Sequence, residues 1–233
     1  MKAHARVVAC FEDGRTVLRE LRSMAPLTLF PRRGRGPDAV VHLVSSATTP
    51  LGGDELLLDL RVGPAAVLRL SGVAATLALP GPGGAASSST VDIEVADGGS
   101  LTYLPEPTVV TTRADHTAVL RASVGENSRF HTREVLVLGR AGEPPGRLTT
   151  TVHVTRGGLP VLRQTQEIGD PVLDTGLAAL AGKRVLATEL VIGGPARPAA
   201  SGEWWARTSP APGVTVTTSL AADAVVALKG LDC

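Results

Sequence analysis

Apolar and polar residues alternate with a period of two along several short runs of this chain. Leu56, Leu58, Leu60 and Val62 fall on one face, with Leu57, Asp59 and Arg61 on the other. Val91, Ile93 and Val95 alternate with Asp92 and Glu94, and Leu148, Thr150, Val152 and Val154 with Thr149, Thr151, His153 and Thr155. Successive side chains of an extended chain point to opposite sides, so these runs predict half-buried strands. Val40–Val44 and Glu134–Leu138 are apolar on both faces and predict strands enclosed between layers. Turn-forming residues punctuate the runs at Gly52-Gly53-Asp54, Gly63-Pro64, Asp97-Gly98-Gly99 and Gly157-Gly158. Many short strands at such spacing make a sandwich, a barrel or a β-helix. Alternation does not choose among these, and no repeat of fixed length is visible.

Two segments carry helical signals. Asp170 and Pro171 open the first as cap and first turn, Leu173, Leu177 and Leu180 follow at helical spacing, and Gly182 closes it. The second runs from Ser219 as cap to Lys229, with Gly230 as terminator. Pro80–Thr90 and Gly193–Gly202 read as Gly/Pro/Ser-rich loops, the latter joining the strand-rich body to the C-terminal part.

Composition narrows the picture. Aromatics are 3% of the 233 residues, so the core is built from Val, Leu and Ala. A net charge of +1 creates no field that would recruit nucleic acid or an anionic membrane. Arg32-Arg33-Gly34-Arg35 is a local basic patch, read first as a solvated loop. Cys10 and Cys233 lie at opposite ends and make no disulfide framework, which predicts a cytosolic protein. The first residues lack the apolar core of a signal peptide, and no apolar run approaches the ~18 residues of a membrane span.

Catalytic signatures are missing. There is no Gly-x-Ser-x-Gly elbow and no His-Glu-x-x-His. The stretch Gly176 to Gly182-Lys183-Arg184 has one residue too many for a phosphate loop, and Arg where a magnesium-binding hydroxyl is required. The five histidines, His4, His42, His116, His131 and His153, do not cluster, whereas a tight Ni²⁺ site needs grouped imidazole or thiolate. His42 reads as a core histidine, His153 as solvated, and Asp115-His116 as a turn before a ligand pair. Carboxylates remain. Asp54 follows two glycines at the mouth of a strand, where it serves turn chemistry or is held for a ligand. Glu134 opens an apolar run, a costly place for a charge that is neither paired nor functional. Arg140 and Glu143 are spaced to pair across a turn.

Several stretches, taken in order, resemble the UreD (UreH) urease accessory protein family. Leu21-Arg22-Ser23-Met24-Ala25-Pro26-Leu27 is similar to its N-terminal arginine-containing segment, and Pro50-Leu51-Gly52-Gly53-Asp54-Glu55-Leu56 to its Gly-Gly-Asp signature. Gly63-Pro64-Ala65-Ala66 and Ala74-Ala75-Thr76 follow in place. Leu101-Thr102-Tyr103-Leu104-Pro105-Glu106-Pro107 and Leu138-Gly139-Arg140-Ala141-Gly142-Glu143 match two further motifs. The resemblance implies a mainly β fold, a β-helix-like stack of sheets with one or two short helices toward the C-terminus. It implies one domain over 1–233, with a β body to about 168 and a helix-containing part from about 169. It implies a cytoplasmic, non-enzymatic role in nickel insertion, with no tightly bound cofactor and only transient Ni²⁺. The implied partners are a UreF-type accessory protein, through it a UreG-type GTPase, and the urease apoprotein. Asp54 matches the signature aspartate of the family's nickel path and is a weak, transient metal ligand on this reading. Glu134 stands where the family has an acidic residue. Gly52, Gly53, Arg140 and Glu143 match motif positions read as structural. Gln164 replaces a family carboxylate, and the C-terminal end is short. The competing reading is a hydrolase on a β-helix scaffold that uses Asp54 and Glu134 as a carboxylate pair.

Overall fold

A computed structural model of the chain describes every residue except Arg33, Arg35 and Ala196, so most of the basic patch lies outside the described residues. The elements are β1 (Lys2–Glu12), β2 (Arg15–Arg22), β3 (Leu27–Arg32), β4 (Ala39–Ser45), β5 (Glu55–Val62), β6 (Val67–Gly72), β7 (Thr76–Ala78), β8 (Ser87–Val95), β9 (Ser100–Leu104) and β10 (Thr108–Val110). They continue with β11 (Asp115–Val124), β12 (Arg129–Leu138), β13 (Arg147–Arg156), β14 (Leu159–Ile168), β15 (Val185–Ile192), β16 (Ala200–Ser201), β17 (Trp205–Thr208), β18 (Val214–Ala221) and the α-helix α1 (Ala224–Leu231).

The strands form two sheets, one of seven strands in the order β14-β13-β11-β8-β5-β1-β2 and one of eleven. The centre of each is parallel. β1, β5, β8, β11 and β13 stack side by side in the first sheet, and β4, β6, β9 and β12 in the second. The chain therefore coils, laying one strand in the first sheet and one or two in the second per turn. Glu55 lies against Ser88 and Asp115 against Arg147, so a coil takes about 30 residues, within the range of solenoid repeats. This is the β-helix-like stack. Its coils differ in length, which is why no fixed period shows in the sequence.

The corners explain the glycines. Main-chain bonds run from Gly63 to Ala9, Ala96 to Val62, Gly125 to Val95 and Gly157 to Val124, each turn sitting on the last. A Cβ on Gly125 would lie 2.6 Å from the Asp97 backbone, so the stack admits no side chain there. Asp97 accepts from both the backbone and the amide of Asn127, tying two corners.

The core lies between the sheets. Val7, Leu58, Leu60 and Ile93 meet Val41, Leu68, Leu70, Leu101 and Phe130. The outer face of the seven-stranded sheet stays polar, with Arg6, Arg61, Asp59 and Glu94 in a ladder of ion pairs. On β4 only Ala39, Val41 and Leu43 turn inward. Val40 and Val44 are half-exposed outside, so this strand is not enclosed as its apolarity predicts. His42 is also half-buried on that outer side, held by Ser71. β12 is covered on both faces, because α1 packs Ala227 and Leu231 onto Val135, Val185 and Ala187.

Three expectations are corrected. Asp170–Gly182 is a series of turns, not a helix. Asp170 does cap it, accepting from Val172 and Leu173. However, Leu173 and Leu177 are 66% and 89% exposed and only Leu180 of the three is buried, so no continuous apolar face holds a helix, and Asp174 turns back to the Gly169 amide. The second helix starts four residues late. Ser219 is a buried residue of β18, Asp223 is the cap, and Gly230 lies inside α1, where a Cβ would meet Ser219 Oγ at 2.2 Å. Gly230 serves close packing rather than termination. Finally, Ser87–Thr90 belongs to β8 rather than a loop, its small side chains fitting between β5 and β11. Past residue 168, β15, β17 and β18 extend the larger sheet by antiparallel pairing onto β12, so the C-terminal part is strand as well as helix.

Candidate functional site: a cavity between the sheets

Register sets the inward-facing rows. Leu56, Ser89, Ala118, Thr150 and Gln166 line up across the seven-stranded sheet. Opposite, Glu134 stands beside Thr188, and Thr132 between Tyr103 and Leu190. The side chains of these rows do not fill the space. They line a cavity of about 190 Å³ that extends from Thr49 and Pro50, past Glu134, to Gln164 and Gln166 on the edge strand β14. It runs along the stacking direction, across the strands of both sheets.

Glu134 has one polar partner, the Thr150 hydroxyl, at 2.9 and 3.2 Å from its two carboxylate oxygens. Burial raises its pKa, and the Thr150 bond only partly offsets this. Tyr103 is likewise pushed up by burial, with the Glu134 charge adding to the effect. The cavity thus holds Glu134 among hydroxyls and amides, with Glu106 and Arg133 also on its wall, and its oxygen donors are suited to loose cation contact. His116 also lines it. It sits in β11, so Asp115-His116 is strand rather than turn. Burial pushes its pKa down to about 4 against a hydrogen bond to Ser87 and the Asp115 charge, so the ring is neutral near pH 7.

Asp54 is placed differently. The turn between β4 and β5 packs Gly52 against Gly81, where a Cβ would lie 2.4 Å from the Gly81 nitrogen, and Gly53 takes φ +92°. Both residue types follow from that backbone. The Asp54 carboxylate is 5% exposed. It accepts from the Met1 amino group at 2.8 Å, the Leu51 amide at 2.8 Å and the Thr49 hydroxyl at 3.0 Å. Burial alone would raise its pKa, but these donors outweigh it and hold the carboxyl below its usual range. Asp54 does not line the cavity; Thr49 does, and links the two. The two carboxylates therefore occupy separate surroundings, instead of flanking one cleft as paired glycosidase carboxylates do.

Arg140 and Glu143 meet across a turn. Glu143 accepts from the Arg140 side chain at 3.0 and 3.1 Å and from its amide at 2.9 Å, which holds its pKa down to about 2. Arg184, in the phosphate-loop-like stretch, binds the Gly139 carbonyl at 3.0 Å, and Lys183 lies over the Trp204 ring. No group of three or more His, Cys, Asp or Glu that could hold a metal occurs among the described residues, and no helix there is long and apolar enough to cross a membrane. Sequence reasoning missed the cavity roles of Tyr103, Thr150 and Gln166. Thr150 was legible only as an inward polar position in an otherwise apolar alternation.

A coiled stack of sheets around a narrow cavity defines a β-solenoid-like protein. Comparison with known sequences agrees: the model of the UreD urease accessory protein family matches residues 1–231. The chain belongs to the UreD urease accessory protein family, whose members are accessory proteins and not enzymes. Urease accessory protein UreD 1 of Saccharopolyspora erythraea is 54% identical over 94% of this chain and 88% of its own length. UreD proteins of Frankia alni, at 38% over 82% and 76%, and Streptomyces avermitilis, at 35% over 100% and 95%, are also similar.

Proposed function

We propose that this urease accessory protein conducts Ni²⁺ toward apo-urease through the cavity between its sheets. The observation that supports this most is the cavity's course, from Thr49 beside Asp54, past Glu134, to the Gln164 edge. Glu134 and Glu106 among neutral oxygens, with no group of three ligands among the described residues, hold a cation weakly enough to release it. Asp54 shapes one end of the path through Thr49, and Glu134 is the contact within it. In this reading the chain works in the cytoplasm. It docks on the urease apoprotein and on a UreF-type protein, and reaches a nickel-bearing UreG-type GTPase through the latter. The test is co-expression of urease and its accessory proteins with the Glu134→Gln chain. Partner pull-down should be unchanged and nickel per purified urease several-fold lower; full nickel content would overturn the proposal.

A further inference from the structure

His116 is the one imidazole on the cavity wall among the described residues. The residue is 2% exposed. Its Nδ1 lies 2.8 Å from Ser87 Oγ, and the Ser87 hydroxyl donates to the Asp115 carbonyl over 3.5 Å. In the tautomer with the ring proton on Nδ1, Ser87 Oγ accepts from the ring and keeps its own proton for the Asp115 carbonyl. That tautomer leaves the lone pair on Nε2, which has no hydrogen-bond partner among the described residues. Orienting an imidazole through its second nitrogen is how proteins prepare a metal ligand. The Glu134 carboxylate is near in the fold. His116 pairs with Leu148, two residues before Thr150 on the same inward face, and Thr150 is hydrogen-bonded to Glu134.

We infer that His116 Nε2 is a transient ligand for a borderline divalent cation crossing the cavity, with Glu134 as its oxygen partner. The inference rests on the cavity proposal and adds selectivity to it. Oxygen donors alone admit Mg²⁺ and Ca²⁺, whereas an imidazole favours Ni²⁺. Two ligands without a third keep the stay short. Ser87 is the positioning residue.

The test uses the full chain and nickel(II) itself. Crystals soaked in nickel(II) chloride, with data at the nickel edge, should show an anomalous peak about 2.1 Å from Nε2. Equilibrium dialysis should show Ni²⁺ binding lost in His116→Gln and weakened about tenfold or more in Ser87→Ala. Ser87→Ala keeps the ring and serves if the histidine variant does not fold. Ni²⁺ retained at Glu134, with equal affinity in both variants, overturns the role of His116, as does a cavity without a nickel peak. The cavity proposal is judged separately, by whether Glu134→Gln still lowers urease nickel.

Discussion

Replacing Asp54 by alanine should destabilise the fold before it says anything about nickel. From the sequence, the expectation is that Asp54→Ala leaves folding intact; the hydrogen bonds argue otherwise. Removing the carboxylate strands the Leu51 amide and frees the Thr49 hydroxyl, both bonded to it now. An unsatisfied buried donor costs about 1–3 kcal/mol, and bonds to a charged acceptor are the stronger kind. The total is about 2–3 kcal/mol, or a melting temperature lower by about 4–12 °C for a chain of this size. Asp54→Asn keeps an acceptor for Leu51 and Thr49 and should lose much less. The folded-state pKa of Asp54 is depressed, so its contribution is present above the unfolded carboxylate range and is lost as pH falls through the folded value. The gap between parent and Asp54→Ala should therefore narrow below about pH 4. Thermal unfolding followed by circular dichroism at pH 7 and pH 3.5 reads this. Equal melting temperatures for parent and Asp54→Ala at pH 7 would refute the reasoning. Asp54→Asn is then the variant for the nickel assay, because it changes charge with little loss of structure.

Other outcomes follow from the same geometry. Gly230→Ala places a Cβ 2.2 Å from Ser219 Oγ and should lift α1 off β18 at a cost of about 1–3 kcal/mol, seen as faster proteolysis after residue 221. Glu134→Gln removes a carboxylate whose pKa is raised by burial. A raised acid pKa weakens the fold as pH rises through it, so the variant should be more stable than the parent at pH 8 and closer to it at pH 5, by thermal melts. The Arg140–Glu143 tie should hold well into acid, with Glu143 titrating near its depressed value of about 2; carboxyl NMR shifts that titrate near pH 4.5 would contradict this.

Much of the fold was legible in the sequence because period-two alternation reports burial directly, as at Leu56–Val62 and Leu148–Val154. The choice of a solenoid was not legible from the pattern, since parallel partners sit about 30 residues apart in coils of unequal length. The resemblance supplied it. Helix signals failed where local chemistry lacked a surface to bury against: Asp170 caps, but Leu177 finds nothing to cover it. Asp223, the cap of α1, is a capping residue type in the sequence too, but the contact that puts Ser219 in β18 against Gly230 inside α1 is tertiary. At the site, Glu134 stood out as a charge in an apolar run. His116 did not, because its meaning comes from Ser87 on the neighbouring coil.

The central claim is that the space between the sheets carries the ion. Ala118, which lines the cavity and bears no ligand, can be replaced by tryptophan to fill it while every carboxylate and imidazole stays in place. The measurement is nickel per urease active site after co-expression with Ala118→Trp, alongside partner pull-down and a thermal melt. The account predicts a folded, partner-binding chain and urease largely without nickel; fully loaded urease would contradict it.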